Sequence, residues 1–154
     1  MYLTYSFMSN EHKQKSQPPL ILVVEDHDDS LLLLSYVLES LGCKFICQSD
    51  SNTTVLVAQE YQPDLILLDI LLPSLNGLEV VQHLKCEPLT FHIPVVAVTA
   101  LAGRDQKQHI LRAGFDEYIS KPYMLEDLEA ILYRLLDRKL QPHLDLEIYQ
   151  ESYN

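Results

Sequence analysis

The stretch Asp64-Leu65-Ile66-Leu67-Leu68-Asp69-Ile70-Leu71-Leu72-Pro73-Ser74-Leu75-Asn76-Gly77 sets a carboxylate, Asp69, between an unbroken apolar run and a segment rich in turn residues. An apolar run of this length suits a parallel strand buried on both faces, and Pro73, Asn76 and Gly77 punctuate the segment after Asp69. Three other runs end in the same manner. Leu20-Ile21-Leu22-Val23-Val24 leads into Glu25-Asp26, Val95-Val96-Ala97-Val98 into Thr99, and Tyr118-Ile119-Ser120 into Lys121. Ligand sites of open α/β sheets lie just outside the carboxyl ends of the strands. Three acids, a hydroxyl and an amine are therefore expected in one cleft, which is the chemistry of a phosphoryl group on a carboxylate beside a divalent cation.

Between these runs the sequence carries helical patterns. Asp28 or Asp29 can cap a helix with apolar positions Leu31, Leu34, Leu38 and Leu41, ended by Gly42. Phe45 and Ile46 mark a short strand, and Ser51 or Asn52 can cap a helix through Val55, Val57 and Ala58 that stops before Pro63. Asn76-Gly77 opens a helix with Leu78, Val81 and Leu84. Residues Asp105 to Ala113 form a weakly amphipathic helix ended by Gly114, and Leu125, Leu128, Leu132 and Leu135 form the face of the last one. Strand and helix alternate five times, which predicts an α/β fold: a five-stranded parallel sheet, doubly wound and flavodoxin-like, with helices on both faces.

At 154 residues the chain suits one domain with a sizeable core. We divide it into a flexible N-terminal leader at 1–19, a folded domain at 20–138, and a C-terminal tail at 139–154 that is disordered or docks. A formal charge of −11 argues against recognition of nucleic-acid phosphates and favours protein partners. Cys43, Cys47 and Cys86 are odd in number and form no CxxC pair, so we read them as buried thiols of a reducing cytoplasm. No signal peptide or run of about 20 apolar residues appears, so no membrane association and a cytoplasmic location are expected. His27 follows the acidic pair with no second His or Cys at metal-ligand spacing, and is expected to face solvent.

Four motifs in register carry a family resemblance. Val23-Val24-Glu25-Asp26-His27-Asp28-Asp29, Leu68-Asp69-Ile70-Leu71-Leu72-Pro73-Ser74-Leu75-Asn76-Gly77, Val98-Thr99-Ala100 and Tyr118-Ile119-Ser120-Lys121-Pro122 resemble, in order, the acidic pair, phospho-acceptor turn, hydroxyl motif and closing aromatic-lysine-proline motif of response regulator receiver domains. The resemblance implies that Asp69 accepts a phosphoryl group from a histidine kinase. It implies Mg²⁺, or Mn²⁺ in its place, on Glu25, Asp26, Asp69 and the backbone carbonyl of Leu71. Thr99 and Lys121 would serve the phosphoryl oxygens, a cis Lys121-Pro122 peptide would aim the lysine, and Thr99 with Tyr118 would form the switch. Implied partners are a sensor kinase, a phosphotransfer protein or a downstream target, and a second copy through the output face. With only 33 residues after Lys121 a stand-alone receiver is expected, the alternative being a piece of a longer regulator or hybrid kinase. A phosphorylation-independent binding module would be expected to lack the acids or the lysine, and none is missing. A haloacid-dehalogenase-type hydrolase would need an acid where Leu71 stands. A flavodoxin-like carrier would need a glycine-rich phosphate loop where Glu25-Asp26-His27-Asp28-Asp29 stands.

Overall fold

A computed structural model describes residues 17–71, 76–100 and 103–136. The expected tail, most of the expected leader, residues 72–75 of the acceptor turn and Leu101 lie outside the described residues. The elements run in the order β1 (Leu20–Val24), α1 (Asp28–Ser40), β2 (Lys44–Gln48), a 3-10 turn (Ser51–Thr53), α2 (Thr54–Tyr61), β3 (Leu65–Leu68), α3 (Gly77–Cys86), β4 (Val95–Thr99), α4 (Arg104–Ala113), β5 (Glu117–Ser120) and α5 (Leu125–Leu136). All strand pairings are parallel and the order across the sheet is β2-β1-β3-β4-β5. This is the expected doubly wound sheet. The chain steps from β1 to β2 in one direction and from β1 past β3 to β5 in the other, so the topological switch point lies between β1 and β3.

Alternation along the strands builds two cores. Ile21, Val23, Leu65, Leu67, Val96 and Val98 point toward α1 and α5, against Leu34, Leu38, Leu128 and Leu132. Leu22, Val24, Ile66, Leu68, Val95 and Ala97 point the other way, against Ala58 of α2, Val80, Val81 and Leu84 of α3, and Ile110 of α4. Because β1, β3 and β4 are covered on both faces, their carboxyl ends are fixed from above and below. Burying each such side chain contributes about 1.5–3 kcal/mol before the entropy of ordering it.

Local chemistry departs from the expected pattern at five places. His27, in extended conformation, is the cap residue of α1 and gives no side-chain cap; Asp28 and Asp29 fall inside the first turn, where they favour the positive end of the helix dipole. The turn before α2 is capped by Asp50, which accepts from the Asn52 N–H at 3.0 Å, not by Ser51 or Asn52. Leu125, the first residue of α5, is exposed, and the buried face of that helix is Leu128, Ile131 and Leu132. Only Cys43 is a buried thiol; Cys47 and Cys86 are exposed, the former on the edge strand β2 and the latter on the last residue of α3. Asn76 caps α3 as expected, accepting from Leu78 N–H at 3.0 Å. Of the described side chains of α4, Ile110 alone is fully buried; the helix is polar overall, yet its polar and apolar residues are well segregated, so the expected weak amphipathicity does not hold.

Candidate functional site

Glu25 and Asp26 follow β1 and Asp69 follows β3, so the switch point brings the three acids together. The backbone locks this register: Asp69 N–H donates to Val24 O at 3.0 Å, and Glu25 N–H donates to Gln48 O at 3.0 Å. Asp69 stands at the strand end as expected, yet the residue is itself only 5% exposed, and Glu25 only 1%. One Asp69 oxygen, Oδ1, accepts from the Leu71 N–H at 2.9 Å, which folds the start of the acceptor turn over the carboxylate. The Leu71 side chain points outward, 54% exposed.

Lys121 enters from the end of β5. Its N–H donates to Thr99 O at 2.8 Å, which ties β5 to β4, and the Lys121-Pro122 peptide is cis as expected. The Lys121 Nζ donates to Glu25 Oε2 at 2.7 Å and to Asp69 Oδ2 at 3.3 Å. The lysine thus bridges the two buried carboxylates, with its shorter contact to Glu25. Thr99, the last residue of β4, is fully buried and lies opposite Ser120 in the ladder. Tyr118 lies opposite Ala97 and is half-buried against the α2/α3/α4 side of the core.

Charge dominates the electrostatics of the cleft. Burial raises the Asp69 carboxyl above the ordinary value for an aspartic acid, and the neighbouring Glu25 charge adds to this while the Leu71 N–H and Lys121 oppose it. Burial acts the same way on Glu25, but the Lys121 hydrogen bond and charge, with His27, outweigh it and bring Glu25 below its ordinary value. Burial would lower Lys121; Glu25 and Asp69 instead hold it above its ordinary value, so it stays cationic. One lysine against three carboxylates leaves the cleft short of positive charge.

The acids fit a divalent cation. Ligand atoms of Glu25, Asp26, His27 and Asp69 all lie within 4.8 Å of one another. Opposite ligands of one ion with bonds of about 2.0–2.3 Å lie about 4.0–4.6 Å apart, so the set needs only a slight contraction to close on a single centre. Asp26 Oδ1 is buried with no hydrogen-bond partner, an orphaned acceptor that a cation would satisfy. Hard carboxylate oxygens are ligands for Mg²⁺.

Sequence reasoning missed the place of His27. Its side chain is 69% exposed, as expected of a solvent-facing residue, but Nδ1 turns back to lie 3.0 Å from Glu25 Oε1 and 3.0 Å from Asp26 Oδ1. The signal was present in the spacing. Residues i and i+2 of an extended segment point the same way, so Glu25 and His27 share a side once the chain leaves β1 without turning.

The family model of the response regulator receiver domain matches residues 21–133. The polar-differentiation response regulator DivK of Brucella anthropi is 39% identical over 105 residues, 68% of this chain and 85% of that one. Among solved structures, the receiver domain of a sensor histidine kinase from Pseudomonas aeruginosa, determined with a magnesium ion coordinated in its active-site cleft, superposes with a TM-score of 0.73 at 29% identity, covering 79% of this chain and 100% of that one. The receiver domain of a signal transduction histidine kinase from Syntrophus aciditrophicus gives a TM-score of 0.71 at 30% identity over 77% of this chain and 90% of that one. No helix among the described residues is long and apolar enough to cross a membrane.

Proposed function

The chain belongs to the response regulator receiver domain family and has the receiver function of a two-component system, and from that premise we propose that Asp69 is its phospho-acceptor. One observation carries the reading: Glu25, Asp26 and Asp69 converge at the switch point with Lys121 bridging two of them. We assign the receiver unit to residues 20–138, with a leader before it and a tail after it.

In the proposed reaction an Asp69 carboxylate oxygen attacks the phosphorus of a phosphohistidine on a kinase or phosphotransfer protein. The new O–P bond forms as the P–N bond breaks, and the electron pair stays on the departing imidazole nitrogen, which takes up a proton. Glu25, Asp26 and Asp69 would hold Mg²⁺, or Mn²⁺, with the Leu71 carbonyl as a further ligand; bound there, the ion neutralises charge between nucleophile and phosphoryl group. Lys121 would leave Asp69 for a phosphoryl oxygen, a role that the longer of its two contacts, the one to Asp69, supports. Leu71 N–H restrains Oδ1, which aims Oδ2 at the incoming group. Thr99 would donate its hydroxyl to another phosphoryl oxygen, and Tyr118 would follow it inward. Movement of Tyr118 and of the sparsely buried α4 would change the face formed by α4, β5 and α5, which would bind a downstream protein or a second copy. The same groups, with water as nucleophile, would return Asp69 to its free form.

Incubation with Mg²⁺ and acetyl phosphate or phosphoramidate is expected to give an acid-stable, base-labile mass gain of one phosphoryl group. EDTA should abolish it, and beryllofluoride with Mg²⁺ should shift the NMR resonances of the Tyr118 ring. Wild-type protein that no small donor labels would end the proposal. A second expectation concerns lifetime. Leu71 and Leu101 lie two residues after Asp69 and Thr99, and the apolar side chain of Leu71 stands exposed beside the acceptor. Replacing Leu71→Asn with Leu101→Glu should speed dephosphorylation by roughly tenfold, equivalent to about 1.4 kcal/mol off the barrier, by admitting and orienting water. An unchanged decay of the phosphorylated form would remove apolar shielding as the cause of a long lifetime.

A further inference from the structure

Deepening the metal-dependent reading of the acidic cleft, and resting on it, we propose that His27 is a nitrogen ligand of the cation site, so that the cleft favours borderline transition ions over Mg²⁺. Four observations converge. Nδ1 is equidistant, at 3.0 Å, from Glu25 Oε1 and Asp26 Oδ1. Neighbouring ligands of an octahedral ion with bonds of about 2.1 Å lie about 3.0 Å apart, so Nδ1 has the spacing of an adjacent vertex to each of the two oxygens. The contact to Asp26 does not satisfy that oxygen, which is buried and has no hydrogen-bond partner, and the hydrogen bond of Nδ1 with Glu25 Oε1 is one that a cation between them would replace. Finally, the His27 backbone is extended, and its N–H donates to Glu25 Oε1 at 3.2 Å, which holds the imidazole on the side of the acids.

The remaining cleft residues leave room for this role. Lys121 engages the other oxygen of Glu25, Oε2, so lysine and imidazole do not compete for one atom. Most of the His27 ring is in solvent. It can therefore turn toward an ion without disturbing the core. With its N–H proton on Nε2, the neutral ring offers the Nδ1 lone pair.

The consequence is chemical selectivity. Mg²⁺ prefers oxygen and gains little from imidazole, whereas first-row transition ions gain affinity from a nitrogen donor. A site of three carboxylates alone already ranks the transition ions in their usual order, with a modest gap over Mg²⁺. Adding His27 should widen the gap in favour of Co²⁺, Ni²⁺ and Zn²⁺.

Co²⁺ is the probe that separates the cases, because it accepts the same octahedral arrangement and its bound imidazole is visible by NMR. Titration of the full chain with Co²⁺ and, separately, Mg²⁺ by calorimetry should show tighter Co²⁺ binding, with a hyperfine-shifted, exchangeable imidazole N–H resonance in the Co²⁺ form. In His27→Gln that resonance should vanish and Co²⁺ affinity should fall about tenfold, while Mg²⁺ affinity changes by less than about twofold. His27→Ala should behave as His27→Gln does, which separates loss of the nitrogen from loss of a polar side chain. The inference is overturned if the resonance is absent in the wild type, if it persists in His27→Gln, or if both ions weaken equally. Failure of both ions to bind the wild type would overturn the metal-dependent reading as well. Binding of both ions with no dependence on His27 would overturn only the histidine's part in it.

Discussion

Asp69→Asn is expected to abolish labelling by acetyl phosphate while raising the melting temperature of the metal-free protein. The two effects have one origin. The Asp69 carboxylate is buried beside the Glu25 carboxylate, and its folded-state pKa lies above the ordinary aspartate value. For a carboxyl raised in this way the folded state binds its proton more tightly than the unfolded state does. Stability is then highest below the ordinary aspartate pKa, falls as pH rises through the interval up to the folded value, and remains reduced at neutral pH. Asparagine keeps an acceptor for the Leu71 N–H and removes the charge, so the penalty disappears along with the nucleophile. A gain of about 1 kcal/mol would raise the melting temperature by roughly 3–6 °C in a domain of this size. Saturating Mg²⁺ should reverse the ranking, because it stabilises only a site able to bind it well. Thermal melts in EDTA and in Mg²⁺, with intact-mass measurements on the same samples, test all three parts. Labelling that survives in Asp69→Asn would move the acceptor elsewhere; a variant less stable than the wild type in EDTA would refute charge strain at the site.

The contrast between Asp69 and His27 marks how much of the site the sequence could carry. Glu25, Asp26, Asp69 and Lys121 were legible because each closes an apolar run, and in a parallel sheet all strand ends of one kind lie on one edge. That inference needs only the strand pattern and the rule for where open sheets bind ligands. The pairing of Lys121 with Glu25, more closely than with Asp69, was not legible. It depends on differences of a few tenths of an ångström between side chains 96 and 52 residues apart in sequence. The geometry of His27 was missed for a different reason: the sequence test looks for a second His or Cys at ligand spacing, whereas its neighbours here are carboxylates on the same extended segment. Cys47 and Cys86 show the limit of residue-type averages. Cysteine is commonly buried, but an edge strand has an open side and a helix end has no neighbour beyond it. Helix caps failed by one residue at His27 and Asp50, where several acids and hydroxyls in succession compete for the same backbone donors.

The acceptor turn depends on a residue that carries no functional group. Gly77→Ala is expected to destabilise the fold by about 2–3 kcal/mol and to slow labelling of Asp69. A Cβ on Gly77 would lie 2.6 Å from Asp69 O, 2.7 Å from Ile70 Cα and 3.2 Å from the Asp69 carbonyl carbon. All three are backbone atoms, so no side-chain rotation relieves the overlap. The first turn of α3 approaches the residues after β3 this closely because Gly77 N–H donates to Ile70 O at 3.0 Å, which holds the start of α3 against Asp69 and Ile70. An alanine must push α3 away from Asp69 and Ile70 or shift the acceptor residue itself. Either movement alters the direction of the Asp69 carboxylate toward Lys121. Alanine's better helix propensity, about 1 kcal/mol over glycine, offsets only part of this. Gly103 gives the internal comparison. It needs its positive φ of 120° but has open space where a Cβ would stand, so Gly103→Ala should lower stability without the same loss of labelling rate. Urea denaturation of both variants, with labelling rates at saturating Mg²⁺, separates close approach from backbone conformation; wild-type stability in Gly77→Ala would show that helix and acceptor strand are not held together through this contact.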